Sequence, residues 1–97
     1  MELEKKIEEI LKREPSVSAA LIIDKDGIVI ADRAKEERTR VHELAIEYVT
    51  AMRQILKVTD ILKLGNLEEV LVSTESSVIV IRLITRDYYL ILITQTE

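Results

Sequence analysis

Three strand-like stretches of this sequence are apolar on both faces, and that property limits what the chain can fold into. Alternation along Ser77 to Ile84 sends Val78, Val80 and Ile84 one way and Ile79, Ile81 and Leu83 the other. Tyr88 to Thr94 sets Leu90 and Leu92 against Ile91 and Ile93. Val17 to Asp24 sets Leu21 and Ile23 against Ala20 and Ile22. A sheet made of such strands needs cover on both of its faces. The chain must supply that cover from helices.

Two helical segments are available. In residues 2–14, Leu3, Ile7, Ile10 and Leu11 form one apolar stripe. Glu2 and Glu4 open that helix and Lys12 and Arg13 close it, in accord with the helix dipole. Pro15 stops it, because Glu14 is pushed out of the α region. The second segment runs from about Lys35 to Leu64, with its firm part expected between Arg40 and Leu62. Its broad stripe holds Val41, Leu44, Ala45, Tyr48, Val49, Met52, Ile55, Leu56 and Leu62. Gly65-Asn66 is the expected C-cap.

The connections complete the order. Asp24-Lys25-Asp26-Gly27 is a tight turn between Val17–Asp24 and Ile28–Asp32, which makes a β-hairpin. Short links near Glu75-Ser76 and Thr85-Arg86-Asp87 join Glu69–Thr74, Ser77–Ile84 and Tyr88–Thr94 into an antiparallel meander. The predicted fold is α+β, α-β-β-α-β-β-β, with a five-stranded antiparallel sheet between two helices. At 97 residues, one domain over 1–97 is expected.

Composition narrows the chemistry. The chain is 47% apolar and 33% charged, which suits a folded domain with a wet surface. It has no cysteine, and hence no thiol nucleophile or zinc–thiolate site. A formal charge of −4 and three aromatic residues disfavour nucleic-acid binding, which needs a basic face with stacking rings. No apolar run nears the ~18 residues of a membrane span, so no membrane insertion is expected. The opening Met-Glu-Leu-Glu-Lys-Lys is unlike a secretory signal or a transit peptide, and the expected location is cytoplasmic. Side-chain amides are few (Asn66, Gln54, Gln95) beside abundant Glu, Lys and Arg, a bias found in proteins from hot environments.

Candidate catalytic groups are weak. His42 is the one histidine, with no nucleophile assigned to it and Arg38 and Arg40 nearby, so neither catalysis nor a metal site is expected. Glu36-Glu37, Glu43 and Glu47, and Glu68-Glu69 read as solvated carboxylates, and Asp24 and Asp26 lack the rest of a calcium loop. Two glycines cannot form a phosphate-cradling loop, so no nucleotide cofactor is expected. Arg33, Arg38, Arg40, Arg53 and Arg86 are candidates for an arginine finger only by exposure. The feature that stands out is apolar excess on the second helix: Ile46 and Ile61 lie off the stripe, and Ala51 and Val58 widen its opposite shoulder.

Pro15-Ser16-Val17, Asp24-Lys25-Asp26-Gly27 and Leu64-Gly65-Asn66-Leu67-Glu68-Glu69-Val70, in that order, resemble the Roadblock/dynein light chain domain family over Leu3 to Thr94. Family members commonly carry glycine after the proline and a Gly-Ala pair before the strand; here Ser16 and Ala19-Ala20 stand there. The resemblance implies a profilin-like, Roadblock-type sheet of order 2-1-5-4-3 and a homodimer. It also implies a non-catalytic role, binding or regulating a small Ras-like GTPase or scaffolding a larger assembly as a light chain does. A PAS-like or GAF-like ligand sensor is the rival reading, and it would need a pocket. In the implied order the third strand is an open edge without proline or lysine, an aggregation hazard unless a second copy pairs with it. The expected dimer contact is Val70, Leu71, Val72, Ser73 and Thr74, with Val49 and Met52 from the second helix. Ile46, Arg53 and Ile61 are the expected partner-docking residues.

Overall fold

The computed structural model describes residues 2–35 and 41–95. Its elements are α1 (Glu2–Arg13), β1 (Val17–Asp24), β2 (Val29–Ala34), α2 (Val41–Ile61), β3 (Glu69–Ser73), β4 (Ser77–Leu83) and β5 (Tyr88–Gln95). The five strands form one sheet in the order β2-β1-β5-β4-β3, every neighbouring pair antiparallel. The α+β architecture expected from the two-faced strands is the one observed. Glu36, Glu37, Arg38 and Arg40 lie outside the described residues, as does the side chain of His42.

The first hairpin shifts by a residue or two from its expected bounds, for a local reason. The Asp24 Oδ1 accepts from the amides of Asp26 and Ile28, at 2.9 and 3.0 Å, so Ile28 belongs to the turn. At the far end the Lys35 amide donates to the Ser18 carbonyl, which carries pairing through Ala34. The register slips between Ile22 and Ile23, an irregularity that helps blunt the β2 edge.

Each face of the sheet carries its own apolar cluster. Under α2 lie Ala19, Leu21, Ile23, Ile79, Ile81, Tyr89, Ile91 and Ile93, met by Ala45, Val49 and Met52 of the helix. Under α1 lie Ala20, Ile22 and Ala31, met by Ile7. The second cluster is smaller, in keeping with the 12 residues of α1, and Leu90 and Leu92 of β5 pack against its border. Arg33 on β2 anchors that helix through Glu4 (2.9 Å) and Glu8 (3.2 Å). Farther along the same face, on the edge strand β3, Leu71 is 61% exposed.

The close of α2 departs from expectation. Lys63, not Gly65, is the left-handed residue that ends the helix, with φ of 54°. Its amide donates to the Asp60 carbonyl at 3.1 Å, and the Leu64 amide donates to the Thr59 carbonyl at 3.2 Å. These two bonds are a Schellman closure with lysine where glycine is usual. Gly65 also has positive φ, 95°, but serves the loop beyond.

Lys63→Gly should relieve that strain and raise stability by up to about 1 kcal/mol, measured by urea unfolding. A loss of stability would contradict the assignment of the cap.

Burial raises the Tyr89 phenol above its ordinary 10.0, with Asp87 acting in the same direction and Arg53 opposing. The unfolded chain therefore releases this proton at lower pH than the folded chain, and stability contributed by Tyr89 falls as pH rises past about 10. Tyr89→Phe should show a shallower loss of melting temperature than the parent above about pH 10. Equal slopes would show that Tyr89 titrates alike in both states.

Candidate functional site

The sheet has two edges, and they differ in chemistry. β2 pairs with β1 through a register shift and is ion-paired to α1 through Arg33. β3 is evenly registered against β4 from Glu69–Arg82 to Ser73–Val78. Its hydrogen-bond parity follows from the ends of that ladder. The Leu83 amide donates to the Glu68 carbonyl, and the Thr74 amide donates to the Ser77 carbonyl. Val70 and Val72 share the parity of Glu68 and Thr74, so their N–H and C=O groups point at β4. Those of Glu69, Leu71 and Ser73 point outward at the open edge. The side chains split the same way: Val70 and Val72 pack under α2, whereas Leu71 lies on the α1 face of the sheet. Thr74 is outside the strand, and its Oγ1 accepts from the Ser77 amide at 3.0 Å, which closes the turn.

Beside this edge lies the end of α2. With 21 residues at about 1.5 Å each, the helix is about 32 Å long, whereas the 8-residue strands reach about 27 Å. It therefore overhangs the sheet, and its last turn and the loop into β3 are bare. Val58, Ile61, Leu62 and Leu64 are 52%, 67%, 59% and 70% exposed. Ala51, Ile55, Val58 and Leu62 recur at spacings of four, three and four, the pattern of a helix–helix seam. A shallow groove lined by Gln54, Ile55, Val58 and Thr59 lies on that shoulder.

The opposite flank of α2 borders the β1–β2 turn of its own chain. A Cβ at Gly27 would lie 3.8 Å from the Ile46 Cα, an ordinary contact, so the turn presses on the helix there. The φ of 87° rather than space calls for glycine at that turn. Arg53 reaches the same turn, donating to the Lys25 carbonyl at 2.9 Å and pairing with Asp26 at 3.3 Å. Lys25 in turn donates its amide to the Asp87 carbonyl, linking the two turns at that end of the sheet.

This geometry redistributes the expected site residues. Val49 and Met52 are 3% and 1% exposed, buried against the sheet of their own chain. They leave no surface for a second copy to touch. Ile46 (58% exposed) and Arg53 face the β1–β2 turn, roughly 140–180° around the helix from the Ala51–Leu62 seam. Ile61 stands with the bare end of α2. The shoulder residues Ala51, Ile55, Val58 and Leu62 were absent from the expected contact, and their heptad spacing is the signal that marks them.

Among the described residues no three His, Cys, Asp or Glu side chains gather as metal ligands. No described helix is long and apolar enough to cross a membrane. Glu43, Glu47, Glu68 and Glu69 are exposed. A solvent-open cavity of about 370 Å³ lies between the end of α2 and the β4–β5 turn, with Leu56, Leu67 and Leu83 inside and Asp60 and Arg86 at its lining. Leu56, Leu67 and Leu83 also border the core beneath α2, so this cavity opens at the margin of that core.

Comparison with known proteins agrees with the fold. No curated protein matches the sequence. Among solved structures, MglB of Myxococcus xanthus superposes with a TM-score of 0.89 at 9% identity, over 99% of this chain and 77% of that one. A Roadblock/LC7 domain from Streptomyces avermitilis gives 0.85 at 14% identity, over 97% and 78%. MglC of Myxococcus xanthus gives 0.64 at 25% identity, over 100% and 82%. The Roadblock/LC7 domain family matches residues 4–94, and the chain belongs to that family.

Proposed function

We propose that this chain is a non-catalytic, cytoplasmic homodimer that binds or regulates a small Ras-like GTPase. The observation that carries the dimer is the coincidence of an open β3 edge with the bare apolar end of α2. Antiparallel pairing of β3 with its copy fills the outward groups of Glu69, Leu71 and Ser73 and creates a two-fold contact. Overhanging helices then meet through Ala51, Ile55, Val58 and Leu62. Family membership and the likeness to MglB and MglC support the regulatory reading, and the same surface suits a light-chain-like assembly subunit. The ligand-sensor reading has less support, since the core beneath α2 is filled with aliphatic side chains and the cavity at its margin is open to solvent.

In the dimer the flank of α2 that carries Ile46, Arg53 and the β1–β2 turn stays free of the seam. We assign the GTPase to that flank, where Arg53 is held in place by Asp26 and the Lys25 carbonyl. Calorimetry against a Ras-like GTPase, loaded in turn with GDP and a non-hydrolysable GTP analogue, tests the regulatory half. Nucleotide-dependent binding supports it, and no binding in either state favours the assembly subunit.

Light scattering tests the assembly. The parent should have twice the chain mass of 11.1 kDa at micromolar concentration. Ser73→Pro deletes an outward donor while sparing the β3–β4 ladder, and Val58→Glu places charge in the seam. Each should weaken dimerisation at least tenfold, with circular dichroism unchanged. A folded Ser73→Pro chain that dimerises as tightly as the parent would show that β3 is not the seam.

A further inference from the structure

The cavity between the end of α2 and the β4–β5 turn joins an apolar wall to two opposite charges. Leu56, Leu67 and Leu83 line it on the core side, and Asp60, Asn66, Thr85 and Arg86 supply its polar groups. Its volume of about 370 Å³ falls within the range of small-ligand sites, roughly 300–1,000 Å³. Asp60 stands at a cost to the fold. It lies in the last turn of α2, which holds no basic residue, and the negative end of a helix disfavours a carboxylate. Neither Asp60 nor Arg86 forms an ion pair with another described residue, whereas Asp87 beside Arg86 is taken by Lys25. Thr85 Oγ1 accepts from the Asp87 amide at 3.1 Å, which leaves its O–H available as a donor. Asp60 stands about 160° around α2 from Val58 and Leu62, at ~100° per residue, so the seam leaves this cavity open.

An apolar wall with one anion and one cation calls for the converse groups on one small frame: an ammonium, a carboxylate and an aliphatic tail. We propose that this cavity binds a free α-amino acid with an aliphatic side chain. The ammonium goes to Asp60, where the C-terminal end of α2 adds its own negative potential. The carboxylate goes to Arg86, with Thr85 and Asn66 as neutral donors. The side chain lies against Leu56, Leu67 and Leu83. A polypeptide C-terminus would bring the carboxylate without the ammonium, and an N-terminus the reverse, so each leaves one charge unmatched. The site opens to solvent at the margin of the core, unlike the enclosed pocket of a PAS-like or GAF-like sensor. Bound there, the amino acid bridges the end of α2 to the β4–β5 turn. One copy of the chain supplies every group, so the inference stands apart from the β3 dimer and the GTPase.

The test is isothermal titration calorimetry of the parent with leucine, N-acetyl-leucine, leucinamide and glycine. Leucine should bind saturably at one site per chain, and each of the other three at least tenfold more weakly. Arg86→Gln, on an exposed turn, should weaken leucine binding tenfold or more with circular dichroism unchanged. Asp60→Asn should do the same and also raise the melting temperature of the ligand-free protein, because it removes a charge from the unfavourable end of α2. Loss of binding with a fall in melting temperature would make Asp60 structural and overturn its assignment to the ammonium. Absence of saturable leucine binding at millimolar concentration, or indifference to either substitution, would overturn the proposal. N-acetyl-leucine binding as tightly as leucine would overturn it in favour of a polypeptide C-terminus, and leucinamide doing so in favour of an N-terminus. Equal binding of glycine would overturn the role of the apolar wall.

Discussion

The structure depends on one requirement: β1, β4 and β5 are aliphatic on both sides and must be dried on both sides. Burying a Leu, Ile or Val side chain is worth about 1.5–3 kcal/mol. Leu21, Ile23, Ile81 and Ile91, each at most 1% exposed, are close to that limit. The two helices meet the requirement unequally. α2, with 21 residues, gathers the larger cluster, whereas α1, with 12, gathers the smaller. Apolar surface is left over at the overhanging end of α2. The proposed dimer contact follows from this shortage of cover rather than from any special chemistry.

Much of the fold was legible because strand alternation is a strong signal when both phases are apolar. The odd phase of Ile79, Ile81, Ile91 and Ile93 and the even phase of Val80, Leu90 and Leu92 settle on opposite sides of the sheet as alternation requires. The helix cap was less legible. Glycine is the cheapest left-handed residue, so Gly65 attracts the assignment, yet the bond from Leu64 to Thr59 places the closure at Lys63. The apolar stripe of α2 was recognised, but periodicity alone does not say which part of a broad stripe faces the sheet. Val49 and Met52 occupy its centre and go to the core; Ala51, Ile55, Val58 and Leu62 form its shoulder. The outward parity of Glu69, Leu71 and Ser73 lay beyond sequence altogether, because it depends on the register with β4.

Function in such a chain comes from surfaces that are held still, not from reactive groups. Arg53 is tied to the β1–β2 turn, that turn is tied to the β4–β5 turn through Lys25 and Asp87, and α2 lies along both. A partner on that flank meets a preorganised surface and loses little side-chain entropy on docking. A seam of β3 and α2 would leave this flank facing solvent.

The central claim is that β3 is an internal strand of a two-fold sheet in solution. Amide hydrogen exchange resolved by residue addresses it directly, because β3 contains its own control. Val70 and Val72 point at β4 and should be protected at any concentration, whereas Glu69, Leu71 and Ser73 gain protection only by pairing with a second copy. The account predicts slow exchange at all five amides at high concentration, with Glu69, Leu71 and Ser73 speeding up on dilution. Exchange at Glu69, Leu71 and Ser73 as fast as in an unstructured chain, at concentrations where the protein is a dimer, would place the seam elsewhere.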